Sequence, residues 1–214
     1  MTVEAVIWDF GGVFTTSPFE AFNRYEAARG LPKDLIRTIN ATNPHDNAWA
    51  LFERAEIDAA GFDEIFAAEA RALGHDVRGA DVLPLLSGEV RPRVAAALEA
   101  CKGRFKVGCI TNNMASAGHG AGMASTTSKA AQIAEIMGQF DAVIESSKVG
   151  VRKPDPKIYL MMCELLAVKP DACVYLDDLG INCKPAAALG MSAIKVTTED
   201  QAMAELSKLT GLEL

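Results

Sequence analysis

Val6-Ile7-Trp8-Asp9-Phe10-Gly11-Gly12-Val13 reads as an apolar strand that ends in one carboxylate and then turns on two glycines. Open α/β sheets place their ligands at the carboxyl ends of their strands, so Asp9 stands where a nucleophile belongs. Gly11 and Gly12 allow dihedrals closed to other residues and bring backbone N–H groups close to an anion, which suits a phosphate. An Asp before a glycine pair is also ordinary turn chemistry. The reading therefore rests on what the rest of the chain adds to it.

Short apolar runs at residues 5–8, 105–110, 142–144, 172–176 and 192–196 alternate with longer helical patterns. That layout predicts an α/β fold: a Rossmann-like parallel sheet with helices on both faces. Four of the five runs stop at polar residues with chemical potential: Asp9, then Thr111 and Asn112, then Glu145 and Ser146, then Asp177 and Asp178. Between the first and second runs no strand pattern appears. Residues 19–30, 32–40, 46–56 and 63–73 read instead as amphipathic helices bounded by Gly, Pro or Asn. The expected organisation is an α/β core of residues 1–14 plus 92–214 and an inserted helical cap of residues 15–91, placed to close over the carboxyl edge of the sheet. The cap side chains Asn43, Asn47, Trp49 and Phe52 could line a pocket, but aromatic and apolar residues at helical spacing are more often core. Ala115 to Lys129, rich in Gly, Ser and Thr, reads as a surface loop after the second strand.

The 214 residues carry a formal charge of −7 and are 50% hydrophobic, enough to bury a sizeable core. Lys and Arg are scattered, so no basic stripe is present to neutralise a nucleic-acid backbone, and neither nucleic acid nor a membrane surface is the expected partner. No signal-peptide pattern opens the chain and no long apolar run crosses it, which predicts a soluble, cytoplasmic protein. Cys101, Cys109, Cys163, Cys173 and Cys183 lack CxxC spacing and fall in apolar stretches, as buried small hydrophobes do. His45, His75 and His119 show no metal-ligand spacing, and the chain has no nucleophile elbow for a Ser/His/Asp triad.

Leu176-Asp177-Asp178-Leu179-Gly180-Ile181-Asn182 repeats the architecture of the first motif. If the two strands are neighbours, Asp9 and Asp178 meet, and carboxylates converging there need a cation; hard oxygen donors suit Mg²⁺. The alternative for the aspartate pair is capping of the next helix. Lys153, in Gly150-Val151-Arg152-Lys153-Pro154-Asp155-Pro156, supplies a compact fixed charge able to balance an aspartate and a phosphoryl group. Thr111 and Asn112 offer a hydroxyl, an amide and a helix N-terminus to phosphate oxygens, or act as an N-cap.

These four segments, in this order, resemble the four motifs of the haloacid dehalogenase-like hydrolase superfamily, and the stretches 140–150, 152–159 and 176–191 resemble the amino-terminal phosphatase domain of soluble epoxide hydrolases. The resemblance implies a Mg²⁺-dependent phosphatase acting on a small phosphorylated metabolite through an aspartyl-phosphate. It makes Asp9 the nucleophile and Lys153 the charge-balancing catalytic group. It assigns phosphate binding to Thr111, Asn112, Lys153, Gly11 and Gly12. Mg²⁺ would be held by Asp9, the Gly11 carbonyl and Asp178, with Asn182 supporting it through water and Asp177 orienting its neighbours. One departure stands out: typical phosphatases of the family carry a second aspartate two residues after the nucleophile, as general acid and base, and here that residue is Gly11. Two other classes stay open on this ground, a phosphate- or metabolite-binding protein without turnover and a 2-haloacid dehalogenase. Oligomeric state and substrate are not legible.

Overall fold

The computed structural model describes residues 2–113 and 127–214. Five strands, β1 (Ala5–Trp8), β2 (Lys106–Thr111), β3 (Ala142–Glu145), β4 (Cys173–Asp177) and β5 (Ser192–Lys195), form one sheet. Their order is β3-β2-β1-β4-β5 and every pairing is parallel. β1 is central and completely buried, which is why it reads as an unbroken apolar run. The chain winds outward from β1 to β3 on one side and on to β4 and β5 on the other, so a topological switch point lies between β1 and β4.

Successive side chains of a strand point to opposite faces, and the core divides accordingly. Val6, Trp8, Val107, Cys109, Val174 and Leu176 face one layer, with Val94 and Leu98 of α6 (Pro92–Lys102), Ile136 of α7 (Thr127–Met137) and Leu206 of α11 (Glu199–Thr210). Ala5, Ile7, Ile110, Cys173 and Tyr175 face the other, with Ile158, Tyr159 and Met162 of α9 (Pro156–Leu166) and Ala186 of α10 (Gly180–Ala188). At Gly108 an added Cβ would lie 2.6 Å from the Met162 sulfur, so α9 lies directly on the β2 backbone there. All five cysteines are buried free thiols. No helix among the described residues is long and apolar enough to cross a membrane.

Between β1 and β2 lie α1 (Phe19–Ala28), α2 (Leu35–Ala41), α3 (Ala48–Glu53), α4 (Ala59–Ala72) and α5 (Gly79–Val82), with a 3₁₀ turn at Leu83–Leu86. Their ends differ from the sequence expectation for local reasons. Asp34 is left-handed at φ 61° and the buried Glu26 carboxylate accepts the Asp34 and Ile36 N–H groups, so α2 starts at Leu35 rather than at residue 32. Asn47 caps α3 and the left-handed Ala55 follows its end, trimming the predicted 46–56. Asp58 accepts from Gly61 N–H at 2.8 Å and starts α4 four residues before the predicted 63. α5 and the 3₁₀ turn are too short to show a period, and the sequence did not reveal them. The loop expected over 115–129 falls largely outside the described residues, but Ser128 and Lys129 belong to α7.

These helices bury a cluster of their own. Phe62 is fully buried, its ring 4.8 Å from Trp49, 5.1 Å from Phe52 and 5.5 Å from Phe66. Trp49 and Phe52 are therefore packing residues, and the Asn47 amide donates to the Asn40 and Thr42 carbonyls. The chain enters and leaves this helical segment side by side: Thr15 and Val90 form an antiparallel bridge, flanked by Thr16 N–H to Glu89 O (2.8 Å) and Arg91 N–H to Phe14 O (2.7 Å). Phe62→Ala removes the ring that touches three aromatic neighbours and is expected to cost about 3–5 kcal/mol in a urea denaturation series.

Candidate active site

Three strand ends converge at the switch point. Trp8 pairs with Cys109 and with Leu176, so Asp9, one residue beyond β1, stands between the ends of β2 and β4. Asp9 N–H donates to Leu176 O at 2.8 Å, which carries the backbone one step past the paired strand. Among the described residues, Asp9, Asp177 and Asp178 place carboxylate oxygens within 4.8 Å of one another. Residues 168 positions apart along the chain meet because parallel pairing aligns every strand's carboxyl end on one edge.

Lys153 is the counter-charge. It is 1% exposed, and its Nζ lies 2.7 Å from Asp9 Oδ1 and 2.9 Å from Asp177 Oδ2. Burial pulls its pKa down, but the Asp177 and Asp9 carboxylates outweigh that and hold it above the ordinary lysine range. The loop carrying it is clamped by Asn112, whose Nδ2 donates to Lys153 O (3.0 Å) and whose Oδ1 accepts Lys153 N–H (2.8 Å). The Asn112 side chain, expected to face phosphate, is thus committed to the lysine backbone. The same loop is tied to α3: Arg152 Nε donates to Glu53 Oε2 (2.6 Å) and Arg152 Nη1 to Pro44 O (3.0 Å). The buried Ser146 hydroxyl donates to Glu53 O at 2.7 Å.

Asp177 is completely buried and accepts from Tyr175 Oη (2.6 Å), Leu179 N–H (2.8 Å) and both ways from Asn182 Nδ2 (3.1 Å). It therefore holds Lys153 rather than facing the cleft. The Asn182 amide, read as a metal support, donates to Asp177, and its backbone carbonyl accepts Tyr159 Oη at 2.8 Å. Tyr175 had a legible signal, since residues two apart on a strand share a face with Asp177. Ser17, whose hydroxyl lies 3.5 Å from Asp178 Oδ2, had none.

Asp178 approaches the glycine turn closely. Gly12 sits at φ +75°, and a Cβ there would fall 2.2 Å from Asp178 Oδ2, so only glycine fits. Gly12 N–H donates to Thr15 Oγ1 (3.2 Å), whereas Gly11 N–H and the Thr111 hydroxyl have no hydrogen-bond partner among the described residues. Gly11 is not left-handed, and a Cβ added to it meets nothing within 4 Å. Phe10 N–H donates to Asp9 Oδ1 at 2.7 Å, so both the lysine and this amide engage the same oxygen, and Oδ2 has no partner among the described residues. Two surface clefts lie elsewhere: one of about 440 Å³ is lined by His45, Arg54 and Arg152, and one of about 650 Å³ by Leu160 and Lys169. Neither includes the carboxylates, and the converging charge marks the site more firmly than concavity does.

One ammonium faces three carboxylates. Burial pushes the Asp9 carboxyl well above its ordinary range; Lys153 opposes this, and Asp177 and Asp178 add to it. Burial, with Asp177 second, raises Asp178 to about 6. Oxygen donors this crowded, with charge left unbalanced, fit a hard divalent cation.

A doubly wound parallel sheet with a buried Asp–Lys–Asp cluster at its switch point is an enzyme architecture of the Rossmann-like class. The chain belongs to the haloacid dehalogenase-like hydrolase family, whose model matches residues 3–190. It is 29% identical over 225 residues to bifunctional epoxide hydrolase 2 of Mus musculus, an alignment covering 100% of this chain and 40% of that one. The chain thus spans less than half the length of the epoxide hydrolases it matches. Phosphatase MT3486 of Mycobacterium tuberculosis is 27% identical over 229 residues, covering 99% of this chain and 97% of that protein. A HAD family enzyme of Bacteroides thetaiotaomicron, solved with magnesium and inorganic phosphate, superposes with a TM-score of 0.58 at 16% identity, covering 92% and 96% of the two chains.

Ionised Asp178 strains the metal-free fold above pH 6, and the strain fades as the pH falls toward the ordinary value of 3.8. Asp178→Asn is therefore expected to raise the Tm of EDTA-treated protein at pH 7.5 by about 2–4 °C, what ~1 kcal/mol gives in a chain of this size. Scanning calorimetry at pH 7.5 and pH 4.5 checks it, since the gain should shrink at the lower pH.

Proposed function

We propose that this protein is a Mg²⁺-dependent phosphatase that hydrolyses a small phosphomonoester through an aspartyl-phosphate at Asp9. The observation that carries the reading is the asymmetry of the Asp9 carboxylate at the sheet's carboxyl edge: Lys153 and Phe10 N–H hold Oδ1, and Oδ2 has no hydrogen bond or ion pair among the described residues. That is the arrangement of an oriented nucleophile. Asp9 attacks phosphorus, the ester oxygen leaves, and water then attacks the phosphoryl group to return the carboxylate. Lys153 stays charged throughout and balances Asp9 together with the incoming phosphoryl oxygens. The Thr111 hydroxyl and the Gly11 and Asn112 backbone N–H groups are the donors available to those oxygens.

Asp9, Asp178 and the Gly11 carbonyl would hold Mg²⁺, whose charge would stabilise the phosphoryl oxygens; Asn182 serves through Asp177. Relatives named as phosphatases, among them one for phosphorylated carbohydrates from Thermotoga maritima, support the reaction class, and the magnesium and phosphate bound by the Bacteroides enzyme support the cofactor. In this reading residues 1–14 and 92–214 form the core. Residues 15–91 form a cap, joined to the Lys153 loop through Glu53 and Arg152. The Asp177–Asp178 pair speaks against a metal-free dehalogenase, which has no use for such crowding.

With Mg²⁺, purified protein should release phosphate from 4-nitrophenyl phosphate, EDTA should abolish the release, and Asp9→Asn should lower it by at least about 10³-fold, the scale on which a covalent nucleophile counts. Turnover that survives Asp9→Asn, or halide release from a 2-haloacid in EDTA, overturns the reading.

A further inference from the structure

Among the described residues, no side chain fills the space beside Asp9 where a proton donor would stand. Gly11 has no side chain, and a Cβ built on it meets nothing within 4 Å. Around Asp9 the described hydroxyls of Thr15 and Thr111 are too weakly acidic to protonate a leaving group, and the other described groups with dissociable protons are committed elsewhere. Lys153 bridges two carboxylates, Tyr175 donates to Asp177, and Ser17 donates to Asp178. Thr15 accepts from Gly12 N–H, and among the described residues the acids clustered with Asp9 are Asp177, bound to Lys153, and Asp178. In the phosphatase reading, the described residues supply charge stabilisation and, at the position beside Asp9, no proton donor.

We propose that the substrates are phosphates of acidic hydroxyls, namely mixed carboxylic–phosphoric anhydrides and phosphates of enols or phenols, whose leaving oxygen departs as a stable anion without receiving a proton. The inference rests on the phosphatase reading and narrows it. The Asp9 Oδ–P bond forms as the P–O bond to the leaving group breaks, and that electron pair leaves on a carboxylate, enolate or phenolate oxygen. In the second step the water oxygen bonds to phosphorus, the Asp9 Oδ–P bond breaks and its pair returns to the carboxylate. Both of the water's protons end on the product, which leaves as dihydrogen phosphate and equilibrates with solvent.

The test is a leaving-group series with Mg²⁺: acetyl phosphate, 2,4-dinitrophenyl, 4-nitrophenyl and phenyl phosphate, and glycerol phosphate. It is run on the native protein, Gly11→Asp and Gly11→Asn. The native kcat/KM should fall by at least about 10²-fold from the dinitrophenyl to the glycerol ester, the scale of missing general-acid assistance. Gly11→Asp, whose side chain has room, should narrow that ratio by about 10-fold or more, and Gly11→Asn, which fills the same space without an acid, should keep it steep. A native protein that hydrolyses glycerol phosphate as fast as dinitrophenyl phosphate overturns this inference and leaves the phosphatase reading standing. No phosphate release from any member, acetyl phosphate included, overturns the phosphatase reading and this inference with it. The native series decides the matter even if the variants fail to fold.

Discussion

A lysine ammonium buried between two aspartates organises this molecule. At 2.7 and 2.9 Å from Asp9 and Asp177, Lys153 has left water entirely. Its gross attraction to one partner is on the order of 6 kcal/mol at an effective dielectric constant of about 20. Desolvation of the ions costs several kcal/mol each, so the arrangement holds only because the remaining valences are met. Tyr175, Leu179 N–H and Asn182 saturate Asp177, and Asn112 grips the lysine backbone. Elements from β1, β2, β4 and two loops are thereby fixed to one charge, and Asp9 engages that charge through one oxygen.

That same network distributes roles among residues that look equivalent in the chain. Asp177 and Asp178 are neighbours, yet the strand's alternation turns one into the interior and the other toward the glycine turn. Asp177 belongs to the lysine, while Asp178 lies against Gly12. Asn112 stands beside Thr111, yet its amide braces a loop 41 positions away while the Thr111 hydroxyl has no hydrogen-bond partner among the described residues. The ion pair of Arg152 with Glu53 reaches from the residue next to Lys153 into α3, so the helical segment and the charge cluster share a boundary.

Gly11 shows how a family scaffold separates two kinds of catalysis. Electrostatic stabilisation of phosphoryl oxygens depends on fixed charges and backbone N–H groups, and these are present. Proton transfer depends on one side chain in one place, and in the proposed reading Gly11 stands at that place without one. Its neighbour Gly12 is held by sterics against Asp178, whereas Gly11 has open space around it.

The sequence by itself determined the sheet, because buried parallel strands are short continuous apolar runs and each of the five stands within a residue or two of where its run lies. It determined which strand ends carry chemistry, since the polar residues that stop those runs are local text. It also determined that a helical segment follows β1, although Asp34, Asn47, Ala55 and Asp58 moved the helix ends through caps and left-handed turns that periodicity does not report. Only the tertiary structure decided the partners. That Asp177 serves Lys153, that Asn112 braces a backbone, that Ser17 reaches Asp178 and that Glu53 pairs with Arg152 all depend on distances between segments remote in the chain. Hydrophobic patterning says which face is buried, but it carries no information about which buried polar group meets which.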